Sequence, residues 1–313
     1  MNQIINAVLP TFALILLGWL ARRGGVLGGE AMDALNKFVV YLALPALLFK
    51  AMAEIPLDQL RQPGFIAATL LSIAVVYLLG WLSSRRQGVE RADAALDALS
   101  ASYSNSGYMG IPLCLMLYGP QSLPVVALAI VMTACLLFAF TLAKIEFLRQ
   151  RGGNGLAVAL TVGRSLLRNP LVLAPLAGAA FALGELRLPA GLSSTAGLLG
   201  AAASPCALVC IGLFLAQPQA PLSTQRTRLS VVLCLKLLVQ PALAALFAFV
   251  LFDMPVMWAS IAVLLSALPT GTGPFMLAAL YMRDSALISR SILWSTLLSV
   301  ATVSVLVRLL PHI

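Results

Sequence analysis

Ten apolar runs follow one another along this chain, at about residues 4–21, 34–53, 64–83, 92–118, 122–146, 169–186, 194–216, 229–252, 255–282 and 285–310. Each is close to the roughly 20 residues an α-helix needs to cross a bilayer. Nothing else in the sequence restricts the fold so strongly. In hydrocarbon every backbone N–H and C=O must be satisfied internally, and for runs of this length that leaves helices. A water-soluble fold is excluded by composition: 61% of the 313 residues are hydrophobic and 10% charged, against about 25% charged in an average soluble domain. The expectation is an all-α membrane protein with ten transmembrane helices. Between the fifth and sixth runs, "GLAVALTVGRSLLRN" mixes apolar residues with Arg164 and Arg168, the pattern of an amphipathic helix lying on the membrane surface.

The net charge of +9 does not point to nucleic acid, because the basic residues sit in short loops where they set topology. With the N-terminus outside, 16 of the 20 basic residues fall on the inner side, among them Arg22, Arg23, Arg85, Arg86, Arg226, Arg228 and Arg283. Lys50, Arg61, Arg187 and Arg308 remain outside. That asymmetry predicts both termini outside and a multi-pass protein of the cell (inner) membrane. "MNQ" has no basic n-region, so no cleavable signal peptide is expected.

The five cysteines, Cys114, Cys135, Cys206, Cys210 and Cys234, lie in apolar runs without paired metal-type spacing and read as small packing residues. The single histidine is His312. No metal and no cofactor is expected. An intramembrane serine hydrolase would need a base beside its nucleophile. The terminal histidine and the lack of a mid-span acid leave none, so no enzyme is expected.

"SYSNSGYMGIPL", residues 102–113, interrupts this apolar background: six of its first seven residues carry a hydroxyl or an amide. Residues 99–107, "LSASYSNSG", align without gaps on 265–273, "LSALPTGTG", at an offset of 166, with four identities of nine and hydroxyls kept at Ser104/Thr270 and Ser106/Thr272. "ALPALL" at 43–48 resembles "ASPCAL" at 203–208, each with a mid-span proline, Pro45 and Pro205. The matches fall on the second and fourth spans of two five-span halves. They predict an inverted repeat: 1–146, a cytoplasmic linker at 147–168, and 169–313. Gly/Pro-interrupted spans at corresponding places in two halves point to a carrier's binding site. Spans four and nine are therefore expected to break and cross near mid-membrane. Ser104, Asn105, Ser106, Gly107 and Tyr108 would face Thr270, Gly271, Thr272 and Gly273 as the substrate-binding set, with Gly110, Pro112, Pro269 and Pro274 shaping the crossover. Helix N-termini there favour an anion. A carboxylate would accept bonds from the N–H, amide and hydroxyl donors. The bland alternative is that glycines and prolines serve only kinks and close packing.

These residues carry a resemblance to the auxin efflux carrier family, in its short prokaryotic form, within the larger group of bile acid:sodium symporter-like proteins. "LPTFALILLGWLARRGG" and "LNKFVVYLALPALLF" resemble its first two spans, "NSGYMGIPLCLMLYG" its fourth and "ALPTGTGPFMLAALY" its ninth. The resemblance implies ten spans in two inverted repeats with crossed broken helices. It also implies a scaffold of spans 1, 2, 6 and 7, and an elevator-like movement of a transport domain made of spans 3–5 and 8–10. Pro45 and Pro205 would be scaffold-facing. It implies a small organic anion as substrate, such as malate, malonate or an auxin-like weak acid, with Asn105 holding its carboxylate. The other partners expected are the lipid bilayer and, as a candidate assembly, a homodimer through the scaffold spans. In plant members a proline precedes that asparagine where this chain has Ser104. Pairing Ser104 with Pro269 instead would shift the offset to 165, so two registers are open at this stage.

Few ionisable residues lie deep in the runs. Lys236, eight residues beyond Arg228 and so roughly 12 Å along a helix, is expected to snorkel to the inner surface rather than attract the substrate. Lys50 and Glu54 suggest a surface ion pair. Asp97 is a candidate gate or proton group at the inner end of span four. The function expected is secondary transport, as a uniporter or with proton coupling. An anion channel and a sodium-coupled organic anion symporter are the alternatives.

Overall fold

The computed structural model describes residues 2–54, 62–149, 155–217 and 225–310; Arg61, Arg151 and His312 lie outside the described residues. The helices are α1 (Asn2–Arg23), α2 (Gly29–Ala53), α3 (Pro63–Arg86), α4 (Arg91–Ser102), α5 (Ser106–Tyr118), α6 (Pro120–Leu148), α7 (Gly155–Leu166), α8 (Pro170–Leu183), α9 (Ala190–Leu215), α10 (Arg226–Leu251), α11 (Val256–Ala267), α12 (Gly273–Leu280) and α13 (Ala286–Leu309). Among the described residues there is no strand, and α2, α3, α6, α9, α10 and α13 are long and apolar enough to cross a membrane. The two runs expected to break do so: 92–118 divides into α4 and α5, and 255–282 into α11 and α12. With 12 residues, α4 rises only about 18 Å, well short of a hydrocarbon core of about 30 Å.

Three prolines leave the same mark. Pro45, Pro112 and Pro241 each follow a wide π-helical turn, at Val39–Ala43, Ser106–Gly110 and Leu235–Val239. Proline lacks an N–H and clashes with the carbonyl one turn back, and the wider turn accommodates both. Pro205, the proposed counterpart of Pro45, instead sits inside the continuous α9 with its ring exposed, whereas Pro45 is half-buried.

The chain packs as two compact units. The first comprises Met1–Gln62, Ser106–Val131 and Asn169–Pro218. In it α1 and α9 meet backbone to backbone: a methyl on Gly18 would lie 2.2 Å from the Val209 carbonyl oxygen, and one on Gly212 would lie 2.0 Å from that of Ile15. Small residues replace hydrophobic drive as the means of helix association in lipid. Here α8 packs on the second half of α2, with Phe49 and Phe181 edge to face at 5.4 Å. The expected Lys50–Glu54 ion pair does not form; Glu54 accepts instead from the Ser193 hydroxyl at 2.7 Å. At an exposed helix end, a one-turn ion pair gains too little to hold the carboxylate away from a hydroxyl already aligned with it.

The second unit comprises Pro63–Asn105, Met132–Arg168 and Gln219–Ile313. Here α3 packs on α4, and Val76, Ala101, Val232 and Leu235 form a buried cluster where α3, α4 and α10 meet. Phe65 meets Trp258 edge to face at 5.4 Å, and the Lys144 ammonium lies 4.1 Å from the Trp81 ring centroid. Both α4 and α11 are enclosed, since every residue from Ala94 to Ser102 and from Trp258 to Ala267 is buried.

Candidate functional site

In the second unit, α4 ends at Ser102 and α11 at Ala267, and the following residues run extended. Leu268 (φ −63°, ψ 152°) precedes Pro269, whose ring drives the residue before it out of the helical region. Tyr103 (φ −90°, ψ 98°) has no such proline. It opens a Ser/Asn-rich stretch whose side chains compete with the helix for backbone groups. The two extended pieces pair antiparallel at Ser104 and Thr270. The Asn105 N–H donates to the Pro269 carbonyl at 2.9 Å, and the Gly271 N–H donates to the Tyr103 carbonyl at 3.0 Å.

Side chains close the carbonyl ends of both helices. Thr270 Oγ1 donates to the Ser100 carbonyl at 2.9 Å, while its own N–H is received by Ser295 Oγ at 3.0 Å. Gln240 Nε2 donates to the Ser102 carbonyl at 3.1 Å. Lys236 donates to the Ser266 carbonyl at 2.7 Å, to Gln240 Oε1 at 2.6 Å and to Ser104 Oγ at 2.8 Å. Its side chain is 0% exposed, which overturns the snorkelling expectation. The ammonium turns inward because its three donors find three acceptors there: the Ser266 carbonyl at the partly negative end of α11, Gln240 Oε1 and Ser104 Oγ.

Asn105 is 7% exposed, and among the described residues its carboxamide forms no hydrogen bond. Ser104 and Asn105 are thus brought together with Pro269, Thr270 and Gly271. Tyr103 closes this group: a methyl on Gly273 would lie 2.5 Å from its ring and one on Gly271 3.1 Å. Thr272 is half-buried and Pro274 buried in the same unit. Ser106, Gly107, Tyr108, Gly110 and Pro112 belong to the first unit. There the Tyr108 hydroxyl donates to Asn36 Oδ1 at 2.5 Å.

A second polar centre in this unit holds Asp97, which is 2% exposed. Arg228 Nη2 donates to Oδ2 at 2.8 Å and to Oδ1 at 3.0 Å, its Nε donates to Oδ2 at 3.1 Å, and Ser84 Oγ donates at 2.7 Å. A cavity of about 110 Å³ beside it is lined by Asp93, Gln225 and Asp284. Arg283 reaches Glu90 at 2.6 Å and Asp93 at 3.4 Å. Glu90 lies in the turn between α3 and α4, and the hydrogen bond from Arg283 holds its carboxyl below the ordinary glutamate value of 4.5.

Sequence reasoning missed Gln240, Ser100, Ser266 and Ser295. Two signals were available. Lys236 and Gln240 are one turn apart in an otherwise apolar run. Ser291, Ser295 and Ser299, all 0% exposed, repeat every fourth residue of α13.

The chain matches, over residues 3–307, a family model described as "Membrane transport protein". It is 35% identical over 314 aligned residues to the "Putative malonate transporter" of Rhizobium meliloti, covering 99% of this chain and 97% of that one. It is 28% identical to an "Uncharacterized transporter" of Methanothermobacter thermautotrophicus, over 95% of each chain. It is 23% identical to "Auxin efflux carrier component 8" of Arabidopsis thaliana, over 96% of this chain and 95% of that one.

Proposed function

The chain belongs to the membrane transport protein family that includes the auxin efflux carriers, and we propose that it is a secondary carrier for a small organic anion, bound beside Asn105 where two interrupted helices pair. A relative named for malonate at 35% identity favours a short dicarboxylate among such anions.

One observation carries this proposal. A nearly buried carboxamide without a hydrogen-bonding partner among the described residues stands at a helix interruption, one residue from Ser104, which accepts from the buried Lys236 ammonium. The Asn105 carboxamide is thus available to donate, and a carboxylate accepting from its Nδ2 would gain a hydrogen bond where little water competes. The N-terminus of α12, in the same unit as Asn105, adds partial positive charge without a formal charge.

We read the two halves as an inverted repeat at an offset of 166. The pairing of Ser104 with Thr270 supports that register over 165, because a local two-fold relates residues that face each other across an antiparallel bridge. The spacing found from identities such as Leu99/Leu265 is the spacing of the bridged pair. The elevator is taken to move spans 3–5 and 8–10 against spans 1, 2, 6 and 7. In partial support, α3, α4, α10, α11, α12 and α13 pack as one unit, and α1, α2, α8 and α9 as another, although Ser106–Val131, from spans 4 and 5, groups with the latter. Both termini are placed outside the cell membrane, following the basic loops.

The test is uptake of labelled malonate, malate and indole-acetate into liposomes holding the purified protein, wild type against Asn105→Ala. Saturable flux with counterflow in the wild type, lost in a folded variant, is the expected result. Unchanged flux in Asn105→Ala would remove the site from this place, and non-saturating flux without counterflow would make the protein a channel.

A further inference from the structure

We propose that the Lys236 ammonium is a tethered monovalent cation built into the anion site, filling an oxygen cage that an alkali-metal ion would otherwise fit and freeing transport from sodium. This rests on the anion being bound beside Asn105.

The cage is made of neutral oxygens: a hydroxyl (Ser104 Oγ, 2.8 Å), a side-chain amide (Gln240 Oε1, 2.6 Å) and a main-chain carbonyl (Ser266, 2.7 Å). Hard neutral oxygens of this kind also hold alkali cations in membrane proteins. No carboxylate forms an ion pair with Lys236 among the described residues. Its charge is therefore offset only by dipoles. Ser266 contributes the negative end of α11 directly, and Gln240 links the ammonium to Ser102 at the end of α4. An uncompensated charge in such an interior is expensive, and it becomes less so when an anion arrives nearby. Ser104, which receives one of the three bonds, is next to Asn105. The lysine also sits in the π-helical turn Leu235–Val239, a distortion often found at functional sites. Fixing the cation covalently removes the entropy of capturing one with each anion and the need for an ion gradient to supply it.

Two arms test this on the full-length purified protein. In liposomes at fixed membrane potential, wild-type anion uptake should be equal in sodium, potassium and N-methylglucamine. Lys236→Ala should lose at least about tenfold of it and regain part with sodium, lithium or methylammonium. In detergent, the thermal midpoint of Lys236→Ala should rise with one of those small cations over N-methylglucamine at equal ionic strength, while the wild-type midpoint should not. Wild-type uptake that requires sodium would overturn the proposal. So would a folded Lys236→Ala indifferent to every cation in both arms. If the alanine variant does not fold, Lys236→Met in the thermal arm and sodium dependence of the wild type decide instead. Should the wild type move no anion, the carrier function fails, while the thermal arm still reads the cation cage.

Discussion

The Thr270 hydroxyl donates to the carbonyl of Ser100 at 2.9 Å, so a residue of one interrupted helix closes the end of the other across 170 positions of sequence. Thr270 is 0% exposed, and water is not available to replace it. Thr270→Val keeps the shape and removes the donor. It should destabilise the protein by about 1 kcal/mol, the usual worth of such a bond in a membrane interior. Thermal unfolding of the purified variant measures this, and an unchanged midpoint would mean the Ser100 carbonyl has found another donor.

Gly273 has no room for a side chain beside Tyr103. A methyl there would approach the ring to 2.5 Å at Cζ and 2.7 Å at Cε2. Gly273→Ala should therefore cost about 1 kcal/mol, the low end of overpacking penalties, because the clashing atoms are the far end of a side chain rather than backbone. Tyr103→Leu lacks the clashing atoms. The double variant should be no less stable than Tyr103→Leu alone, a coupling that a double-mutant cycle reads directly.

Much of this site was legible before any coordinates. Pro269 and the Ser/Asn run at 102–106 announce interruptions through local chemistry, and local chemistry is what a sequence displays. The place of Lys236 was not legible. A long flexible side chain about 12 Å inside a span reaches either the surface or the interior. What decides between them is the meeting of two carbonyl ends, Ser266 and Ser102, supplied by segments far away in the chain. The bond from Tyr108 to Asn36, 72 positions apart, is hidden in the sequence for the same reason.

Asp97 and Arg228 form a bidentate pair in which the aspartate side chain is 3% exposed and the arginine 19%. Removing one partner strands the other charge. Asp97→Asn should lower stability on the order of 3 kcal/mol, toward the smaller end for a broken buried pair because Arg228 keeps some access to water. Asp97→Asn with Arg228→Met should recover much of it. A loss in the double variant equal to the sum of the singles would show that the pair contributes no coupling.

The clasp of Arg283 on Glu90 gives a pH dependence of defined sign. Arg283 lowers the folded-state value of Glu90 below 4.5. A depressed carboxyl contributes stability that is present above its unfolded value and is lost as pH falls through the folded one. Acidification below the ordinary glutamate range should thus shed this contribution in the wild type, and Glu90→Gln should lack that component. The pair is exposed and salt should screen it. Acid titrations of thermal midpoint at low and high salt, wild type against variant, check both points.

Ser104 stands where plant auxin carriers have a proline, and the geometry says what that difference costs. The bridge uses the N–H groups of Asn105 and Gly271, not that of Ser104. Tyr103 before it is already extended, at φ −90° and ψ 98°, as a residue preceding proline must be. Ser104→Pro therefore leaves the pairing with Thr270 intact but takes away the hydroxyl that receives Lys236 at 2.8 Å. Ser104→Ala removes the same acceptor and nothing else. If the hydroxyl is what matters at this position, the two variants should lose stability and anion uptake alike, to within about 1 kcal/mol. A proline variant far worse than the alanine would place the constraint in the backbone, and the serine would then be needed for the shape of the interruption rather than for Lys236.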